Sequence, residues 1–232
     1  MSNGMVPSLL YSSSSVLGAH TVVGCSTGYM VDDHGDWATL VSRAAETSSS
    51  AIELSALSEE ELPGLLDYLA KAPRLPFHFV SVHGPTKNRS ISDAQLADRL
   101  CGLPPWVSAV VLHPDSMSDV TRYVALGRRL VIENMDARKD QGQTAQDLKP
   151  LFEALPAARL CFDVAHAKAV DPSMEVGAAL LSTFATRLSH VHLSSLDDGQ
   201  SHVPLTRDDE ALFSDLLRRC ADVPWILEAP PS

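Results

Sequence analysis

The chain has 232 residues, 45% of them hydrophobic and 20% charged, the balance of an ordinary globular protein. A formal net charge of −11 argues against a broad polyanion-binding face and leaves room only for a local basic patch. Four widely spaced cysteines without a CxxC pair argue against a disulfide framework or a cysteine-based zinc site. No apolar run reaches membrane-spanning length, and the opening MSNGMVPSLLYSSSS lacks the basic and apolar regions of a signal peptide, so the expected compartment is the cytoplasm.

In chain order, residues 1–20 read as an N-terminal arm, with a serine-rich loop at Ser12–Ser15. A first strand is predicted over Thr21–Ser26 and a helix over Trp37–Glu46. The second strand is Ala51–Ser55, and a capping-box-like Ser58-Glu59-Glu60-Glu61 opens a helix to Lys71. Strand three is Phe77–His83, followed by a helix from Ser92 to Leu100. Strand four is Trp106–His113, with a helix over Ser118–Leu126. The apolar run Leu130–Ile132 then delivers Glu133 and Asn134 to the end of strand five. A helix over Thr144–Leu155 precedes strand six, Leu160–Val164. A helix over Met174–Arg187 leads to strand seven, His190–Ser194. A helix over Asp208–Cys220 leads to strand eight, Trp225–Ala229. Short runs rich in Val, Ile and Leu suit parallel strands buried on both faces.

Eight strand–helix alternations without a linker predict one α/β unit, residues 21–232, closed as a single (β/α)8 TIM barrel that lacks its final helix; a doubly wound open sheet is the alternative.

Polar residues then recur at strand ends: Glu53, His83, His113, Glu133, Asp163, His192 and Glu228, with His166 and His202 just beyond strands six and seven. Active sites of such barrels lie at that C-terminal mouth. Carboxylates packed around one axis repel unless cations separate them, so the pattern predicts a metal centre of one to three divalent ions. Imidazole with carboxylate suits zinc, manganese or iron better than calcium. Lys87, Arg89, Arg138, Lys139, Lys168 and Arg207 fall in loops on the same face, in a chain with only 18 basic residues. They predict attraction of a small anionic substrate such as a sugar phosphate or acid.

Other residues read as structural. His20 and His34 have no partners at ligand spacing, His78 has the parity of the helical layer, and His190 and Cys161 lie one inward layer below His192 and Asp163. Trp106 and Trp225 open strands and are expected to seal the lower end of the barrel.

The ordered pieces AIELS, SVHGP, VLHPDS, VIENMD, FDVAHA, HVHLS, SHVPL and ILEAP resemble the xylose-isomerase-like TIM barrel superfamily, which holds sugar isomerases, epimerases and endonuclease IV-type nucleases. The resemblance runs from about Thr21 to Pro230. It implies a shared four-ligand metal centre of Glu133, Asp163, His192 and Glu228. It also implies that His83 and His113 hold a second ion bridged by Glu133, as in the nuclease branch, and that His166 and His202 belong to a third. The third site departs from that pattern: Gln200 stands where an aspartate is expected, and Thr206-Arg207-Asp208 replaces Gly-Glu-Gly. The epimerase pattern also fails in part, because Asp197 and Asp198 stand where an arginine is expected.

Several chemistries fit these residues. Isomerisation or epimerisation would use Glu133 and Glu228 to move protons on opposite faces of the substrate, with His166 polarising an oxygen. Phosphoester hydrolysis would need His83 and His113. A multinuclear iron oxygenase and a non-catalytic metal-binding barrel are further alternatives. The acidic loops carrying Asp32, Asp33, Asp36, Glu59, Glu60 and Glu61 argue against nucleic acid as partner. The sequence therefore ranks isomerisation or epimerisation of a small anionic sugar ahead of hydrolysis.

Overall fold

The computed structural model describes residues 20, 22–87 and 89–231. Eight parallel strands close into a barrel: β1 (Val23–Ser26), β2 (Ala51–Ser55), β3 (Phe79–His83), β4 (Ala109–Leu112), β5 (Leu130–Glu133), β6 (Arg159–Asp163), β7 (Leu188–Leu193) and β8 (Trp225–Leu227). Strands β1 to β7 are joined in sequence order, and β8 closes the ring between β7 and β1. The expected single (β/α)8 barrel is the fold observed.

Alternation along the strands builds two cores. Ile52, Leu54, Val80, Val82, Val110, Leu112, Leu130, Ile132, Leu160 and Phe162 face outward and join the helices in one large apolar layer. Residues of opposite parity fill the interior, where Ala109, Val111, Val131 and Cys161 pack with Phe79 as a small apolar plug. Gly24 shares the inward parity. A Cβ there would lie 2.1 Å from the Ala51 carbonyl oxygen, so this contact between β1 and β2 requires glycine.

The helices are α1 (Trp37–Thr47), α2 (Leu62–Ala70), α3 (Asp93–Cys101), α4 (Ala145–Ala154), α5 (Val164–Val170), α6 (Glu175–Thr183) and α7 (Arg207–Arg218). Capping boxes start α3, through Ser92 and Gln95, and α4, through Thr144 and Asp147. Asp208, Asp209 and Glu210 complement the N-terminal dipole of α7.

Some elements differ from the sequence reading. Ser58–Glu61 is a turn, closed by the Glu61 carboxylate accepting from the Ser58 N–H and hydroxyl, and α2 starts only at Leu62. The helix expected over Ser118–Leu126 is a pair of 3₁₀ segments within Val120–Arg129, interrupted by Gly127 at φ +57°. Helix α5 and a two-stranded hairpin, Ser195–Leu196 with His202–Val203, were not anticipated. Among the described residues no helix follows β8.

At the lower end, Trp225 is buried, stacks on His20 at 3.9 Å, and donates from its indole to the Cys220 carbonyl. Trp106 does not share that role: it is 40% exposed and precedes β4. His78 is exposed ahead of β3 and does not face the helical layer. The remainder of the N-terminal arm, including Ser12–Ser15, and the predicted strand start at Thr21 lie outside the described residues. No helix of the described residues is long and apolar enough to cross a membrane.

Candidate metal centre

Inward parity carries His83, Glu133, Asp163 and His192 to the ends of β3, β5, β6 and β7, and His113 and Glu228 follow β4 and β8 directly. Their donor atoms gather in three adjoining groups, within each of which all lie within 4.8 Å of one another. His83, His113 and Glu133 form one. Glu133, Asp163, His192 and Glu228 form the second. Asp163, His166 and His202 form the third. Glu133 is common to the first two, and Asp163 to the last two. The convergence expected from sequence is therefore present for all eight residues.

Distances tie the groups together. Glu133 Oε2 is 3.2 Å from His83 Nε2 and 3.3 Å from His113 Nε2. Its Oε1 lies 3.3 Å from His166 Nδ1 and 3.5 Å from His192 Nδ1. Glu228 Oε1 approaches the same His192 Nδ1 at 3.3 Å, and Glu228 Oε2 is 3.4 Å from His202 Nδ1.

Local backbone chemistry orients these side chains. Asp163 caps α5, its Oδ1 accepting from the His166 N–H at 2.7 Å. The Asn134 amide grips the Asp163 backbone with two 2.8 Å bonds and so pins β6 to β5. His83 donates from Nδ1 to the Gly84 carbonyl, and His166 from Nδ1 to the Asn134 carbonyl. The His83 bond leaves its Nε2 facing Glu133, whereas His166 turns its Nδ1 side to Glu133 and Asp163. His202 comes from the hairpin, its Nδ1 2.7 Å from Ser194 Oγ.

Burial raises the Glu133 carboxyl pKa, but the imidazoles of His192, His113 and His166 outweigh it and hold the group well below the usual range. Glu228 goes the other way: burial, with the nearby Asp163 and Glu133 charges, pushes it well above. Burial lowers His166, yet Asp163 and Glu133 more than compensate and bring it to about 10. His113 and His202 are lowered by burial.

The donor set fits divalent ions. His113 Nδ1, Asp163 Oδ2, His192 Nδ1 and Glu228 Oε2 are buried without hydrogen-bond partners, a costly condition that a cation bound among them would relieve. Three carboxylates and five imidazoles without cysteine suit zinc, manganese or iron.

The centre floors a cavity of about 650 Å³, the size of a small-molecule site. Of the six loop cations, Lys87, Arg138 and Lys139 line it. Arg138 is gripped through Nε and a terminal nitrogen by buried Asp136, and Lys139 pairs with Asp115 at 2.6 Å. The other three do not line it. Arg89 pairs with Asp93 at 2.8 Å. Lys168 lies on α5, which turns it away to Asp209, and Arg207 is the first residue of α7. Glu53, expected from sequence either behind the ligands or in contact with substrate, is wholly buried beneath His192 and does not line the cavity.

Sequence reasoning assigned no role to Asp136, although it closes the LVIENMD motif and sits 3.8 Å from His166 Nε2. It also passed over the hydroxyl wall on the opposite side, Ser26 and Ser55, joined at 2.7 Å beside Tyr29. Gln200 lines the cavity next to His202 with its Oε1 buried and unpartnered. The third group thus has a neutral amide where the resemblance calls for a carboxylate.

No family model and no curated protein matches the chain. Solved structures do. Endonuclease IV from Thermus thermophilus aligns with a TM-score of 0.54 at 20% identity, over 91% of this chain and 93% of that one. D-psicose 3-epimerase in the presence of D-fructose gives 0.54 at 15% identity, over 90% and 85%. A xylose isomerase-like TIM barrel protein from Mycobacterium smegmatis, in complex with magnesium, gives 0.51 at 15% identity, over 84% and 82%. What the chain shares with these structures is the closed (β/α)8 barrel fold.

Proposed function

We propose that this chain is a divalent-metal-dependent enzyme that hydrolyses a small phosphoester. One observation carries the reading: His83 and His113 both meet Glu133 Oε2, which builds a second ligand group beside the four-ligand one. A one-ion proton-transfer enzyme has no use for that pair, so the order of preference drawn from sequence is reversed. Glu133, Asp163, His192 and Glu228 would hold one ion, and His83, His113 and Glu133 another. Ions held there supply Lewis acidity, which acidifies water and offsets charge on the leaving oxygen. Lys87, Arg138 and Lys139 bind the phosphoryl oxygens from the rim, and Asp136 fixes the Arg138 guanidinium for that contact. The cavity's volume favours a small substrate over duplex DNA, as do the acidic loops after β1 and β2.

Epimerisation is the second reading. Glu133 and Glu228 both approach His192 Nδ1, so two carboxylates flank one ligand position. The test is a panel of phosphoesters and ketose sugars, assayed with zinc- and manganese-loaded protein and with His83→Ala and His113→Ala. Phosphoester turnover lost in both variants supports hydrolysis. Sugar epimerisation that survives both substitutions supports the second reading.

A further inference from the structure

Beneath the candidate ligands lies a buried polar layer that the hydrolytic reading does not use: Glu53, Ser81 and His190, each fully buried in the barrel interior. Glu53 and Ser81 face one another across β2 and β3, and the Ser81 hydroxyl donates to Glu53 Oε2 at 2.9 Å. His192 Nε2 lies 3.2 Å from both Glu53 oxygens. His190 Nε2, which has no hydrogen-bond partner, faces Glu53 Oε2 at 3.6 Å.

We propose, on the metal-centre reading above, that Glu53 is the positioning residue of the centre: it takes the Nε2 proton of His192 in a hydrogen bond and thereby presents Nδ1 to the ion held with Glu133, Asp163 and Glu228. A carboxylate only accepts, so the nitrogen facing it must carry the proton. The opposite nitrogen, Nδ1, is then the lone-pair donor, and it is the atom that Glu133 and Glu228 approach. His83 and His166 are oriented by backbone carbonyls instead. His192, by contrast with His83, has a carboxylate behind it, which raises its basicity as a ligand. The layer also accounts for a carboxylate placed where no solvent reaches: Ser81 and His192 supply the hydrogen bonds to it.

His190 of the same layer allows another interpretation. Cys161, His190 and His192 could themselves hold an ion, their donor atoms lying within 4.8 Å of one another. The two interpretations differ in stoichiometry. As a positioning residue Glu53 changes the affinity of the centre and not the number of ions.

Competitive titration of Zn²⁺ against a chelator, with wild type, Glu53→Gln, Glu53→Asp and His190→Asn, separates them. Thermal melting of the metal-free proteins serves as the control for folding. Glu53→Gln is expected to weaken zinc binding about 10- to 100-fold at unchanged stoichiometry, with Glu53→Asp recovering part of the loss. In zinc-loaded wild type, ¹H–¹⁵N spectra should show a low-field, slowly exchanging His192 Nε2–H that moves upfield in Glu53→Gln. Unchanged affinity in a folded Glu53→Gln overturns the proposal and leaves the metal reading intact. One ion fewer in His190→Asn overturns it in favour of the deeper site. Absence of zinc binding by wild type overturns both readings.

Discussion

Replacing His113 by alanine isolates the second ligand group. The substitution takes one imidazole from the trio of His83, His113 and Glu133 and leaves Glu133, Asp163, His192 and Glu228 untouched. A four-ligand zinc site is worth about 10–16 kcal/mol, hence about 2.5–4 kcal/mol per ligand. At about 1.4 kcal/mol per tenfold change, affinity for the second ion should fall about 10²- to 10³-fold. Free metal at about 1,000 times the wild-type Kd stabilises the fold by about 4 kcal/mol, and a thousandfold loss of affinity leaves about 0.4 kcal/mol of that. For a chain of this length the difference corresponds to a drop of about 8–15 °C in the metal-loaded Tm. Calorimetric titration and melting at fixed free zinc read both quantities. A variant that keeps two ions per chain with unchanged affinity would refute the assignment of His113.

Three further outcomes follow from the geometry. Arg138→Ala should raise KM for a phosphorylated substrate about 10-fold or more while changing kcat little, because its contact is made in ground and transition states alike; steady-state kinetics decide it. In the metal-free protein, His166 has a folded pKa of about 10 against an ordinary 6.5. Its stabilising contribution is complete below about pH 6.5 and is lost as pH rises through about 10, by an amount of order a few kcal/mol. Glu53 and Glu133 act oppositely, being held well below 4.5, so their contribution is lost as pH falls below that value. Denaturant melts across pH should show both limbs. Trp225→Ala, which empties the lower end of the barrel, should cost about 3–5 kcal/mol in the same melts.

Much of the site could be read from the letters because two simple rules coincide. Strand parity sends every second residue inward, and parallel strands in a closed barrel end at one rim, so Glu133, Asp163 and His192 had to converge once the strands were recognised. Glu53 shows where this stops. Its parity is inward, but its height depends on register: Glu53 pairs with Ser81, while Ser55 pairs with His83 at the rim. Register with a neighbouring strand is a tertiary property that one strand's sequence does not encode. Lys168 failed for a different reason. The Asp163 side chain caps α5 immediately after β6, and that added helix carries Lys168 round to Asp209. The stretch before β5 has helical apolar spacing yet folds as 3₁₀ segments, and Gly127 at φ +57° separates the first of them from the run into β5.

Convergence of acids and imidazoles on shared cations is the central claim, and anomalous scattering from crystals of zinc-loaded protein tests it most directly. The account predicts one peak among Glu133, Asp163, His192 and Glu228 and a second among His83, His113 and Glu133. Peaks only at surface residues, or none within reach of Glu133, would contradict it.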